Sequence, residues 1–339
     1  MAAAAADGTG ARAATDVEVI AGLDVTQHDV PVPTGDTVRL IVTRPKLAAG
    51  PLPVAFLVGW LSCDSVNWPK GPPFGLAQAF IQIARETGFV TVRMDKPGVG
   101  ASRGADCAQL DFERELAAYR AALDAALRLP GVDGSKVFMV GMSNGGGFAP
   151  LVARDRPVKG YVVIGGWVKT WFEHMLEHER RRLTLLGKSP ADINVAMAHF
   201  ETFYHAFLID RMAPGDVVRA HPEIKQDWYD APDGQYGRPA AFYQQLQALN
   251  LAQAWQKVAA PTLVIHGEYD WIMSRSDHEI IAAIVAGKGA ALAAVIEAPR
   301  TSHLLEVLPD AGKAYEGRGP LNVEVSNTVV KWLREHAGP

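Results

Sequence analysis

The chain has 339 residues, 48% of them apolar, a formal charge of −4 and two cysteines. That length buries a large core and accommodates one large α/β domain with an insertion. The acidic balance and the lack of a basic run exclude a nucleic-acid surface, no apolar run reaches the roughly 18 residues of a membrane span, and so few cysteines make no disulfide framework.

Residues 1–16 are rich in Ala with scattered Gly, Thr and Asp, and lack the charged start and bulky apolar stretch of a secretory signal. They read as a disordered tail, and the protein as cytoplasmic. Residues 16–43 alternate apolar and polar, broken by Pro31, Pro33 and Gly35, as an antiparallel hairpin at a sheet edge would. The apolar runs 54–58 and 89–94 predict buried strands, separated by a helix over 76–86 that Gly88 ends. Phe112, Leu116, Tyr119 and Leu123 share one helical face. Another strand, 137–140, runs straight into Gly141-Met142-Ser143-Asn144-Gly145, and the Gly-rich residues 144–147 open a helix. Residues 161–164 predict the next strand. Strand and helix in alternation predict a mostly parallel sheet with helices on both faces.

From Trp167 to Asn250 the rhythm breaks. Two long helical patterns (168–186 and 191–212) precede a Pro/Gly/Asp-rich stretch (213–239), and a further helix carries Phe242, Leu246 and Leu249. Strand and helix then resume: a strand at 261–266, a turn Gly267-Glu268-Tyr269-Asp270, a helix at 275–285, an apolar run at 291–296, and a loop from Ala298 to His303. An amphipathic helix over 323–335 closes the chain. No repeat, dinucleotide-binding G-x-G-x-x-G or phosphate-binding G-x-x-x-x-G-K is present. Cys63 and Cys107 fall in loops after neighbouring strands; a bridge and two separate buried thiols both fit.

The Ser143 segment has the form of a nucleophile elbow. A tight turn with small neighbours holds the hydroxyl above the sheet edge, and the following helix aims free N–H groups at developing negative charge. A serine hydroxyl needs a base, and the base needs a carboxylate to orient it. Asp270 and His303 supply these, in the order Ser143, Asp270, His303. Glu268 is the nearest alternative acid, and His266, ending a buried strand, reads as structural.

These pieces, together with Asp95-Lys96-Pro97-Gly98-Val99-Gly100-Ala101-Ser102 after the fourth strand, resemble the α/β-hydrolase superfamily from about Asp24 onward. The resemblance implies an α/β fold, a mostly parallel central sheet with helices on both faces, and an inserted helical cap. The core would comprise 17–166 and 251–339, and the cap 167–250. It also implies an oxyanion hole from two backbone N–H groups, those of Asn144 and of Trp60 in the loop after the third strand. Many relatives have His-Gly there; this chain has Val58-Gly59, and the donor is a backbone group in either case. Of the aromatic residues in and near the cap, Trp167 and Trp271 are expected to line the substrate pocket.

The reading is a serine hydrolase of the carboxylesterase kind, acting on a small or medium acyl ester or an amide and requiring no cofactor or metal. A peptidase holding its substrate's amino terminus with a cap carboxylate (Glu173, Glu177 or Glu201) is the alternative, and a C–C bond hydrolase a third. A non-catalytic binding protein on this scaffold would usually lack one of the three residues. His174-x-x-Glu177-His178 matches an inverted zinc-protease signature. Its setting in the charge-rich run 173–182 predicts instead a solvated face with pairs such as Glu177 to Arg181.

Overall fold

Alternate residues of the central strands go to opposite cores. In β3 (Leu52–Val58), Val54, Phe56 and Val58 join one buried cluster, and Ala55 and Leu57 the other. A strand buried on both faces must be covered by helices on both, and the chain supplies them. The computed structural model describes residues 17–154, 156–230 and 232–338; the expected tail at 1–16 lies outside them.

The first two strands, β1 (Leu23–Pro31) and β2 (Thr37–Pro45), form the expected antiparallel edge hairpin. After β3 come α1 (Gly75–Glu86), β4 (Val90–Asp95), α2 (Phe112–Ala126), β5 (Val132–Met142), α3 (Asn144–Ala153) and β6 (Gly160–Ile164). The insertion carries α4 (Trp171–Leu185), α5 (Pro190–Tyr204), α6 (Pro214–Ala220) and α7 (Ala240–Gln247). Then follow α8 (Leu251–Gln256), β7 (Thr262–Tyr269), α9 (Arg275–Ala286), β8 (Ala293–Ser302) and α10 (Val323–Ala337). The sheet order is β1-β2-β4-β3-β5-β6-β7-β8, parallel from β4 to β8. Side chains of α1 and α10 fill one face; α2, α3, α8 and α9 fill the other.

Three predicted boundaries move. β7 continues to Tyr269 and β8 to Ser302, because Ser302 pairs with Tyr269 beyond an irregularity after Ala298. The turn and loop expected there are strand, so Asp270 and His303 follow directly on paired backbone. The long helix expected over 191–212 stops at Tyr204 and continues as a π-helical turn over His205–Ile209. The Pro/Gly/Asp-rich stretch folds into α6 and a two-residue ladder, Gly234–Gln235 against Arg238–Pro239. No helix among the described residues is long and apolar enough to cross a membrane.

Candidate active site

Ser143 sits between β5 and α3 with φ 55° and ψ −128°, in a region that costs an L-residue conformational energy. The surroundings hold it there. Its N–H donates to Ile164 O (2.8 Å), and Gly146 N–H donates to its carbonyl (2.8 Å). A Cβ on Gly145 would stand 2.1 Å from Val58 O and 2.5 Å from Gly59 O, so only glycine lets the helix start approach the end of β3. Gly145 N–H donates to Gly59 O across that contact (2.9 Å).

His303, at the end of β8, places Nε2 2.8 Å from Ser143 Oγ and Nδ1 2.7 Å from Asp270 Oδ2. The other Asp270 oxygen accepts from the N–H groups of Ile272 (2.9 Å) and Met273 (2.8 Å). With Nδ1–H donating to the carboxylate, Nε2 is left to accept from the serine hydroxyl. Burial raises the Asp270 carboxyl, but the adjacent His303 and the N–H donors outweigh it and hold it at about 2. Glu268 lies outside this chain of bonds; its carboxylate accepts from Arg300 N–H (2.6 Å). His266 is buried with its ring 4.8 Å from that of His278. Gly165, with φ +58°, lies beneath the imidazole; a Cβ there would come within 3.0 Å of it.

Neither Trp60 N–H nor Asn144 N–H has an acceptor among the described residues, and both residues border the cavity above Ser143. The loop bearing Trp60 is fastened from several sides. Gly59 N–H donates to Tyr119 Oη (3.1 Å), and Lys96 Nζ donates to the carbonyls of Trp60 (2.6 Å), Leu61 (3.1 Å) and Ser62 (3.0 Å). A Cys63–Cys107 disulfide ties the loop to the one after β4, which resolves the open question of the two thiols. Arg238, from the insertion, donates to Leu61 O (3.3 Å) and Cys107 Sγ (3.3 Å) and pairs with the buried Glu115, which also pairs with Lys96. Burial lowers the Lys96 ammonium to about 8, against the pull of Glu115.

The cavity above Ser143 measures about 430 Å³ and runs between the core and α4. Trp271 lines it. Trp167 does not: it is fully buried, its Nε1 donating to Asn144 O (3.1 Å) and its ring edge-on to Trp171 (4.9 Å). The chain turns at Gly165 and Gly166, laying the indole against α3, and Trp171 takes the lining position instead. A larger recess of about 640 Å³, bordered by Arg120, Tyr161 and Lys257, touches none of these residues.

A family model described as serine aminopeptidase, S33, matches residues 74–303, more than half of the chain. The chain belongs to this α/β-hydrolase family. Among solved structures, an esterase (Est1E) from Butyrivibrio proteoclasticus with bound ferulic acid is similar at 16% identity over 91% of this chain and 96% of that one, with TM-score 0.56. A hyperthermophilic esterase from Pyrobaculum calidifontis is similar at 20% identity over 94% and 87%, TM-score 0.55. A proline iminopeptidase from Mycobacterium smegmatis is similar at 16% identity over 92% and 99%, TM-score 0.52. These likenesses speak to the fold. No curated protein matches the sequence.

As a member of this family the chain has one wall that its motifs did not forecast. The solvated face expected for His174-x-x-Glu177-His178 is instead split. Glu177 pairs with Lys169 (2.6 Å) and Arg181 (3.5 Å), whereas His174 and His178 are buried and line the cavity. Their helix packs that face onto the core, and burial lowers both rings, His174 to about 3. No group of three His, Cys, Asp or Glu among the described residues is arranged to hold a metal. Arg182, Tyr229 and Tyr236 join the same wall. Spacings of three and four along 171–182 were the available signal.

Proposed function

We propose that this hydrolase is a serine carboxylesterase. The carrying observation is the unbroken hydrogen-bonded chain from the strained Ser143 hydroxyl through His303 to Asp270, beside a cavity bordered by Trp60 and Asn144, whose N–H groups have no acceptor among the described residues. Ser143 attacks the ester carbonyl as His303 Nε2 takes its proton. Asp270 fixes the tautomer and stabilises the imidazolium. The N–H groups of Trp60 and Asn144 hold the tetrahedral oxyanion, each contributing ~3–4 kcal/mol. His303 then protonates the leaving alkoxide, and a water activated by the same ring frees the acid.

Residues 167–250 act as the cap in this reading.

The ester is favoured over a peptide by where the carboxylates lie. An exopeptidase needs a negative group to hold the substrate's ammonium. Glu173 caps α4, Glu201 is exposed, Glu177 is paired with Lys169, and Glu179 is paired with Arg182; none of these lines the cavity. Asp64, in the loop after β3, is the one carboxylate among the described residues that does, and an aminopeptidase would have to use it. Hydrolysis rates on p-nitrophenyl acyl esters and aminoacyl p-nitroanilides, run side by side, test the choice, with esters expected to dominate. Ser143→Ala should fold, lose labelling by a fluorophosphonate probe, and lose roughly a thousandfold or more in kcat. Retained ester turnover in that variant would refute the assignment.

A further inference from the structure

The insertion helix α4 presents Trp171, His174, His178 and Arg182 to the cavity, at the spacing of one helical face. Most polar groups on this wall are already bonded to one another. Glu179, ion-paired with Arg182 (2.7 Å), accepts from the Tyr229 hydroxyl (2.6 Å). Tyr229 has then spent its proton, so it accepts from Tyr236 (2.7 Å), and Tyr236 accepts from Nε2–H of His178 (3.2 Å). The carboxylate at one end thus fixes the direction of every bond and the tautomer of His178 at the other.

His174 stands out from this network. Its ring is 2% exposed and makes no hydrogen bond among the described residues. Packing fixes it: Trp171 lies 4.6 Å away on one side, with Trp167 and His178 each at 6.1 Å. Nδ1 is sealed from solvent without a partner, which leaves Nε2 as the nitrogen open to the cavity. A buried unpaired N–H is rarer than a buried bare acceptor, so the proton belongs on Nε2. His174 borders the same cavity as Ser143 and His303.

We infer that His174 is a specificity-determining residue, whose Nε2–H donates a hydrogen bond to an acceptor oxygen that the substrate carries near its scissile carbonyl. The favoured substrates are then oxygenated esters rather than plain alkyl ones. A site with a fixed donor discriminates against an analogue lacking the acceptor, because the donor is left unpaired when an apolar group displaces water from it. This rests on the esterase reading.

The test uses two matched pairs of esters. In one the acyl part varies, p-nitrophenyl 4-oxopentanoate against 4-methylpentanoate; in the other the alcohol part varies, 2-methoxyethyl butanoate against butyl butanoate. The full-length protein should favour the oxygenated member of at least one pair about tenfold in kcat/KM. His174→Phe keeps an aromatic ring against Trp171; it should bring that ratio to about one while the plain ester is still cleaved. His174→Gln, which restores an N–H near the same point, should recover part of the preference. No preference in either pair, or a preference that survives His174→Phe, overturns the inference and leaves the esterase reading standing. If the folded protein cleaves none of the four esters, the esterase reading itself fails and this inference falls with it. Should His174→Phe not fold, His174→Leu carries the same comparison.

Discussion

Lowering the pH from 7 to 5 should cost this protein several kcal/mol of stability, and buried imidazoles set the size of the effect. His174, His178 and His278 are 2%, 5% and 0% exposed. Burial holds His174 at about 3 and His278 at about 4, and His178 well below the ordinary 6.5. Each folded-state pKa is depressed, so below 6.5 the unfolded chain binds protons that the native one refuses. The stability these rings confer is complete above pH 6.5 and is lost as the pH falls toward their native values. Between pH 7 and 5 His174 and His278 each forfeit about 2 kcal/mol, and His178 adds to the loss in the same direction, as does His266, which burial also lowers. Domains commonly have only ~5–15 kcal/mol in hand. Asp95, whose carboxyl burial raises, acts in the opposite sense wherever its own pKa exceeds the pH. Urea unfolding at pH 7 and pH 5 measures the difference, and His174→Leu should reduce it by about 2 kcal/mol. A total loss below about 2 kcal/mol, one ring's share, would mean that these histidines take up protons in the folded state and that the wall is wetter than described.

Three further perturbations probe the frame around Ser143. Gly145→Ala drives a methyl into the carbonyls of Val58 and Gly59; parting the elbow from the Trp60 loop should cut kcat by about a hundredfold, and an unchanged kcat in the folded variant would count against a role for that loop. Arg238→Met strands Glu115, which is fully buried and left with Lys96 alone; urea unfolding should register about 3–5 kcal/mol, with the double variant carrying Glu115→Gln losing less than the sum. Replacing Cys63 and Cys107 by serine opens a bridge across a separation of 44 residues, a change of about 4 kcal/mol by chain entropy; equal urea midpoints with and without the bridge would contradict it.

What the sequence could reveal was local or ordered. The elbow is legible because strand, small-residue turn and helix are contiguous, and Asp270 and His303 because each follows an apolar run in the family's order. Trp167 went astray because periodicity does not say how a chain leaves a strand; two glycines decide that its indole packs inward and that Trp171 faces the cavity. His174 and His178 lie in a charge-rich run, and nothing within that run discloses that the insertion folds this face onto the core. The Lys96–Glu115–Arg238 cluster joins residues far apart in the chain, and each alone reads as an ordinary surface charge.

The same cluster bears on how molecules reach Ser143. Arg238 sits in the insertion and Glu115 in the core, and Arg181 adds bonds to the carbonyls of Trp271 (2.7 Å) and Ile272 (2.8 Å). Hinging the insertion away would sever all of these. With them in place, the cavity meets solvent through a standing mouth. The cavity's most exposed borders mark it: Asp64, Tyr229 at 44%, Tyr315 at 38%, and the guanidinium of Arg318. With these ties intact, a molecule bound for Ser143 enters past those four side chains.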